Sequence, residues 1–203
     1  MKLLKLNNNI SDYSRKIAEI HKSAYSKNHF TSCFSQEKLE EYYACLVEAS
    51  DLSVIAVTGE AIEGLKNNQD KAVGFIIAGR SVSNGVTNFI KSNRMYVFYV
   101  MLINPMFLVQ KIFTKILLKF IKVTPSKAKF RLLSISVLSG SQSTGVGKAM
   151  LESFEKELLG RGVECYGLSV RAINKRAISF YERNGFELEN TLLGSKYYFK
   201  SLV

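Results

Sequence analysis

A loop rich in small and polar residues forms a possible anion-binding site in the C-terminal half of the chain. It follows an apolar run at 131–138 and precedes residues 148–159, whose apolar side chains recur at helical spacing. This order predicts a strand, a turn and a helix. The first backbone N–H groups of a helix have no partner within it and attract phosphate. Gly145 and Gly147 leave that backbone accessible, and Lys148 adds a cation. Glycines after a strand also serve simply as turns, so the loop alone leaves both interpretations open.

A second segment follows the loop after about 27 residues and carries a possible proton donor. The loop reads Gln142-x-x-Gly145-x-Gly147, and the second segment reads Asn174-x-x-Ala177-x-x-Phe180-Tyr181-x-x-x-Gly185-Phe186. In this order and spacing the two segments resemble the acetyl-CoA signature of the GNAT N-acetyltransferase superfamily. The resemblance implies acetyl-CoA as the donor and direct attack of a primary amine on its thioester.

The resemblance also implies a role for each matched residue. Tyr181 matches the tyrosine that protonates the departing CoA thiolate; its alternative role is a core aromatic beside Phe180. A backbone N–H near Leu138 would polarise the thioester carbonyl. Asn174 would contact the cofactor arm, although asparagine before a helix is also an ordinary N-cap. The expected cofactor-binding residues are Val137, Leu138, Gln142, Ser143, Thr144, Gly145, Val146, Gly147, Lys148, Asn174, Ala177 and Phe180.

The general base is missing from its usual place. Many relatives carry a glutamate on the fourth strand, but here residues 133–137 read Leu-Ser-Ile-Ser-Val and contain no carboxylate. Water or a residue from another segment must therefore accept the proton. The only histidines are His21 and His29. His29 lies in a loop that the resemblance places beside the acceptor, so His29 is the predicted catalytic base, with His21 as the alternative. A lone histidine is, however, usually structural or merely exposed.

Local sequence patterns predict the elements that position these residues. A strand is predicted at 2–6, followed by a helix that Ser11 and Asp12 cap and that runs through about Tyr25. A second helix is predicted at 36–49, with Leu39, Tyr42, Tyr43 and Leu46 on its apolar side. The remaining predicted elements are strands at 52–58 and 72–78, which a polar loop joins, strands at 130–138 and 164–170, and a hairpin at 186–199. The resemblance implies an α/β (α+β) GNAT fold: a mixed, mostly antiparallel sheet splayed between strands 4 and 5, with helices on both faces. One domain accounts for residues 1–203.

Residues 81–129 form an insertion between strands 3 and 4. Its apolar stretch at 95–109 is too short to span a membrane and is interrupted by Pro105. Beyond it, Lys111, Lys115 and Lys119 recur every four residues, which predicts a basic amphipathic helix. Four interpretations stay open: a solvated lysine face, a wall of the acceptor pocket, a contact with an anionic membrane surface, and a homodimer interface.

Composition limits the functional classes. The 203 residues carry a formal net charge of +11, and no Asp or Glu occurs between Asp70 and Glu152. A positive potential suits polyanionic CoA and a phosphate-bearing acceptor. No nucleic-acid-reading module is recognisable, so nucleic-acid binding is not expected. Three scattered cysteines and an N-terminus without a signal sequence favour a cytoplasmic protein with reduced thiols and no metal site.

The acceptor is less defined than the donor. The N-terminal segment, with His29-Phe-Thr-Ser32 and Tyr42-Tyr43, followed by a hydrophobic, basic insertion, resembles GNAT proteins found among bacterial surface-polysaccharide enzymes. That resemblance implies an amino-sugar acceptor, small or nucleotide-linked. The alternatives are a protein or peptide amine, as in ribosomal-protein acetyltransferases, and a non-catalytic CoA-binding module.

Overall fold

The computed structural model of the chain describes residues 2–6, 10–25, 29–58, 71–107, 109 and 126–203. Its strands are β1 (Lys2–Lys5), β2 (Leu52–Thr58), β3 (Lys71–Gly79), β4 (Arg131–Val137), β5 (Cys165–Arg171), β6 (Glu187–Leu192) and β7 (Ser195–Ser201). Its helices are α1 (Ile10–Ala24), α2 (Gln36–Glu48), α3 (Ser83–Ser92), α4 (Arg94–Ile103), α5 (Val146–Gly160) and α6 (Lys175–Arg183), with short 3-10 turns at Phe30–Cys33 and Ser139–Ser141.

The seven strands form one sheet in the order β1-β2-β3-β4-β5-β7-β6. Neighbouring strands are antiparallel except for β4 and β5, which run parallel. These two strands pair only at Arg131 with Gly167 and at Leu132 with Leu168. Beyond Leu132 they diverge, so the predicted splay of a mixed sheet is confirmed.

The sheet is covered on both faces because its central strands are apolar at successive positions. On β2, Val54 and Ala56 join the core beneath α5 and α6, whereas Ile55 and Val57 join the core beneath α1–α4. Side chains alternate between the two faces of a strand, and both faces of β2 are buried. Helix α1 therefore packs on one face of the sheet and α5 on the other.

Helix boundaries agree with the sequence patterns except at the first helix. Leu39, Tyr43 and Leu46 are buried along α2, as its periodicity predicted. The expected caps Ser11 and Asp12 lie instead within the first turn, because α1 already begins at Ile10. Criteria for a helix start differ by one or two residues, so sequence alone locates such a start only to within that range.

The described part of the insertion forms α3 and α4, and α3 was not predicted. The segment Ser83–Ser92 mixes Gly, Thr and Asn with few apolar residues, so it gave no clear helical signal. Helix α4 ends at Ile103, shortly before Pro105, as expected from the helix-breaking effect of proline. The predicted basic helix with Lys111, Lys115 and Lys119 lies outside the described residues. Among the described residues, no helix has the length and apolar character needed to cross a membrane.

Candidate active site

The divergence of β4 and β5 opens a cleft of about 960 Å³. Six segments line it: the end of α1, the loop that carries His29, residues 133–137 of β4, the loop that leads into α5, the end of β5, and α6. The cleft therefore brings together segments from both halves of the chain. Its lining contains the two predicted catalytic residues, Tyr181 and His29.

The loop before α5 presents backbone rather than side chains to the cleft. Gly145 is the N-cap of α5 and has φ 87°, a left-handed conformation that glycine adopts without strain. A Cβ placed on Gly145 would meet nothing within 4 Å, so the space beside it is open. Because the first N–H groups of α5 have no helical partner, this open space can accept a phosphate.

An arginine that sequence inspection missed holds the loop in place. Arg176, in the first turn of α6, donates a hydrogen bond to Gln142 Oε1 and another to Ser143 Oγ at 3.1 Å. Gln142 Nε2 in turn donates to the Val137 carbonyl oxygen at 3.1 Å. The matched motif has no fixed residue at position 176, so only the tertiary structure reveals this contact. It links α6, the loop and the end of β4.

The charges in the cleft are all positive. Lys148, Arg171, Arg176 and Arg183 line it, and no Asp or Glu does so among the described residues. Lys148 is a predicted cofactor-binding residue, whereas the three arginines are additions from the structure. Such a lining favours a polyanionic ligand.

The structure distinguishes the two residues that were predicted near the thioester carbonyl. The Leu138 N–H donates to the Val73 carbonyl oxygen at 2.8 Å, so it is already used in the sheet. Hydrogen bonding alternates along an antiparallel pair, so the N–H and C=O of Val137 point away from β3 toward the cleft. The bond from Gln142 to the Val137 carbonyl agrees with this orientation. Of the two, Val137 rather than Leu138 therefore presents its N–H to the cleft.

Other predicted cofactor residues divide into two groups. Ser143, Gly147, Ala177 and Phe180 line the cleft, as does Asn174, whose Oδ1 also accepts a hydrogen bond from the Ala177 N–H as the N-cap of α6. Two expected side chains do not line it. The Thr144 hydroxyl donates to the Ser141 carbonyl oxygen at 2.7 Å, and Val146 packs against the core, so only their backbone can serve a ligand.

Tyr181 combines a core ring with a cleft position. Its ring packs edge-on against Phe180 and Phe186, with centroids 5.5 Å and 5.4 Å away. Burial, and secondarily the nearby Tyr25 hydroxyl, raise the pKa of Tyr181 above its usual value of 10.0. The phenol is therefore protonated at neutral pH and can donate a proton. Tyr181 is therefore a core aromatic that also lines the cleft.

His29 lies between the cleft and a smaller adjoining cavity of about 270 Å³. His21, Thr31, Tyr42 and Tyr43 line the smaller cavity, and Arg171 is its only charged residue among those described. Burial, and then the charge of Arg171, lower the pKa of His29 below 6.5. At neutral pH His29 is therefore uncharged and able to accept a proton.

The described insertion residues line neither cavity. Four interpretations of the insertion were left open by the sequence; the one that makes it a wall of the acceptor pocket has no support within residues 81–107. No group of three or more potential metal ligands occurs among the described residues.

A family model described as "Acetyltransferase (GNAT) family" matches residues 15–186. The chain belongs to the GNAT acetyltransferase family. It is an acetyltransferase whose cleft fits the family's donor, acetyl-CoA, since an open helix N-terminus and four cations face a polyanion. A search of curated proteins found no match.

Solved structures share this fold at low sequence identity. The protein PH1933 from Pyrococcus horikoshii OT3 has a TM-score of 0.63 and 16% identity, over 98% of this chain and 97% of that one. An aminoglycoside 6'-N-acetyltransferase complexed with coenzyme A has a TM-score of 0.59 and 13% identity, over 100% and 98%. The ribosomal-protein-S18-alanine N-acetyltransferase from Escherichia coli has a TM-score of 0.50 and 19% identity, over 99% and 93%. At these identities the similarity shows the fold alone.

Proposed function

We propose that the chain is a single-domain, cytoplasmic N-acetyltransferase that acetylates the primary amine of a small amino sugar, preferably one linked to a nucleotide. The observation that carries this proposal is the adjoining 270 Å³ cavity, which has Arg171 and no carboxylate in its described lining. A cavity of this size accommodates a sugar ring. Its positive charge favours an acceptor that bears phosphate.

The donor side rests on the backbone and cations of the cleft. The loop Gln142–Lys148 and Arg176 would hold the pyrophosphate of acetyl-CoA, which supplies an activated acetyl group. The Val137 N–H would polarise the thioester carbonyl, since it points into the cleft. Tyr181 would protonate the thiolate, and His29 would accept the amine proton.

A protein or peptide acceptor is the second candidate. The fold shared with the ribosomal-protein-S18-alanine N-acetyltransferase keeps it open. A cationic peptide, like an aminoglycoside, would however meet Arg171 and no carboxylate in the described lining, which disfavours both.

The test is release of free thiol from acetyl-CoA with a matched acceptor panel. It contains one amino sugar in three forms, namely free, phosphorylated and nucleotide-linked, together with an alanine-terminated peptide, an aminoglycoside and a polyamine. We expect the highest kcat/KM for a phosphate-bearing sugar. Turnover of the peptide alone would refute the sugar proposal. Binding of acetyl-CoA without turnover of any acceptor would favour a non-catalytic module.

Contact with an anionic membrane surface is a further part of the proposal. Helix α4 buries Val97 and Val100 but exposes an opposite face that is also apolar, each side chain being more than half exposed: Met95, Phe98, Tyr99, Leu102 and Ile103. A helix that is apolar all round is normally covered. Two exposed cations, Lys91 in the last turn of α3 and Arg94 at the start of α4, precede this face in the chain, and no acidic residue occurs from 71 to 151. Anionic lipid headgroups complement that charge.

Vesicle co-sedimentation tests this contact. We expect the protein to sediment with vesicles containing phosphatidylglycerol but not with pure phosphatidylcholine, and Phe98→Ser with Leu102→Ser to abolish the difference. Equal recovery with both vesicles would refute the membrane contact. A dimer in solution that these two substitutions dissociate would assign the face to a homodimer instead.

A further inference from the structure

A continuous chain of side-chain hydrogen bonds begins at His29. His29 Nδ1 lies 2.8 Å from Thr31 Oγ1, and Thr31 Oγ1 lies 3.1 Å from His21 Nε2. His21 Nδ1 lies 2.7 Å from the Tyr43 hydroxyl. Each hydroxyl in this chain can donate and accept, and each neutral imidazole has one donor and one acceptor nitrogen.

His21 is the central member and cannot hold a proton for long. Its side chain is 1% exposed and stacks on Tyr25 with ring centroids 4.0 Å apart. Burial, followed by the charges of His29 and Lys22, lowers the pKa of His21 to about 3. A neutral imidazole with a hydroxyl on each nitrogen must donate on one side and accept on the other. A change of tautomer therefore moves a proton from one side of His21 to the other.

Beyond Tyr43 lies the hydroxyl of Ser134 on the fourth strand. Tyr43 and Ser134 both line the smaller cavity; burial chiefly raises the pKa of Tyr43, and Ser134 opposes that rise. The Ser134 hydroxyl also lies 3.2 Å from the Tyr25 hydroxyl. Both Ser134 and Tyr25 line the main cleft, as does Tyr181. His29 and Tyr25, the two ends of this series of hydroxyl and imidazole groups, thus both line the main cleft.

We propose that His29, Thr31, His21, Tyr43, Ser134 and Tyr25 form a proton relay that returns the proton of the acceptor amine toward Tyr181. This inference rests on the proposed acetyl transfer. As the amine nitrogen forms its bond to the acetyl carbon and the carbon–sulfur bond breaks, His29 takes the amine proton. Thr31, His21, Tyr43 and Ser134 each pass on one proton, and Tyr25 receives the last. Tyr181 gives its proton to the thiolate and regains one from Tyr25. One proton thus leaves the amine, one is added to CoA to form the thiol, and every member of the relay ends with its original proton count.

The surroundings of the relay contain no described carboxylate that would trap the proton. The titratable or charged groups that act on it are Lys22 and Tyr25 from α1, Tyr42 from α2, Arg171 from β5, and Tyr181 from α6. The two cations disfavour a lasting positive charge on either histidine, and the tyrosines are protonated at neutral pH. Passage through the chain therefore explains how a site without a fourth-strand glutamate disposes of the proton.

Thr31→Val tests the relay, since it replaces the hydroxyl that links the two histidines by a methyl group of similar size. We expect kcat to fall by about tenfold to a hundredfold, with KM for acetyl-CoA unchanged and the acid limb of the pH–rate profile displaced. Thr31→Ser, which restores the hydroxyl, should recover most of the rate. Thr87→Val, the same change on the exposed face of α3, is the basal control.

Tyr43→Phe interrupts the next link and keeps the ring, so it serves if Thr31→Val fails to fold. In the double variant the two losses should not add, because both changes break one chain. Wild-type kcat and pH profile in Thr31→Val or in Tyr43→Phe would overturn the relay. Equal rate losses in Thr31→Val and Thr31→Ser with an unchanged pH profile would also overturn it, since packing would then be responsible.

Imidazole ¹⁵N shifts of the full-length protein separate failure of the relay from failure of the proposed function. If no acceptor is turned over by the wild type, the proposed transfer fails, whereas the shifts still report the hydrogen-bond chain. We expect His21 to stay neutral at pH 6 and Thr31→Val to change the nitrogen protonation of both histidines. Identical shifts in the wild type and Thr31→Val would overturn the relay whatever the turnover.

Discussion

Tyr181→Phe is the most direct test of the predicted acid. The change removes one hydroxyl and keeps the ring that packs against Phe180 and Phe186. Loss of a general acid lowers rates by about 10²–10⁴. A thiolate is a weakly basic leaving group, with a thiol pKa of about 8.5, so we expect the lower end of that range. A hundredfold loss of kcat corresponds to about 2.7 kcal/mol in the activation barrier.

Tyr198→Phe provides a matched control in the same core. Its ring lies 6.4 Å from that of Tyr181, but its hydroxyl donates to Glu182 Oε1 at 2.6 Å and does not line the cleft. Loss of this bond to a carboxylate should lower the free energy of unfolding by about 1–2 kcal/mol without changing kcat. Tyr181→Phe should show the converse: slow turnover and an unfolding free energy within about 1 kcal/mol of the wild type.

The assay combines steady-state thiol release with thermal unfolding. The pKa of Tyr181 is raised, so the phenol keeps its proton throughout neutral pH, and the wild type should show no titration of this group between pH 6 and 9. A Tyr181→Phe enzyme with wild-type kcat would refute the acid assignment. So would a loss of kcat that only parallels a loss of stability.

Three further predictions concern the loop before α5, the cation Arg176 that would bind the pyrophosphate, and the dependence of stability on pH. Gly145→Ala and Gly162→Ala should each destabilise the fold by about 1–2 kcal/mol, because φ is 87° and 69° there, but only Gly145→Ala should raise KM for acetyl-CoA. Arg176→Gln should raise the KM for acetyl-CoA about fivefold with kcat unchanged, whereas Lys175→Gln on the same exposed turn should not. Equal KM values in the two variants would refute a role of Arg176 in binding the pyrophosphate. The folded-state pKa of His21, about 3, lies below its unfolded value of 6.5, so stability present at pH 7 is lost as pH falls. About 2 kcal/mol should disappear between pH 6.5 and 5, seen as a fall in Tm of about 4–8 °C that His21→Gln reduces.

Much of the donor side could be predicted from the sequence because it is built from contiguous segments. The pattern at 131–160 predicted a strand, a glycine loop and a helix, and the structure contains these elements, with Gly145 as the N-cap of α5. Asn174 caps α6 for the same local reason. Likewise, the apolar periodicity of α2 correctly identified its buried face.

The sequence left the site undefined where the availability of a backbone group for hydrogen bonding depends on a neighbouring strand. The N–H of Leu138 looks free in the sequence, but its register with β3 commits it to Val73 and turns Val137 toward the cleft. Arg176 carries no signal of its own, since its contact with Gln142 requires α6 to lie beside the loop. Strand register and helix docking are long-range properties, and no local pattern encodes them.

By itself the sequence determined the family, the donor loop and the candidate acid, because each depends on residues close together in the chain. Only the tertiary structure decided what surrounds the acceptor. Tyr25 and Ser134, which lie 109 residues apart, meet across the splay, and His21, Thr31 and Tyr43 join them from two other segments. The physical reason is the separation of β4 from β5 beyond Leu132, which opens the sheet to side chains from α1 and α2.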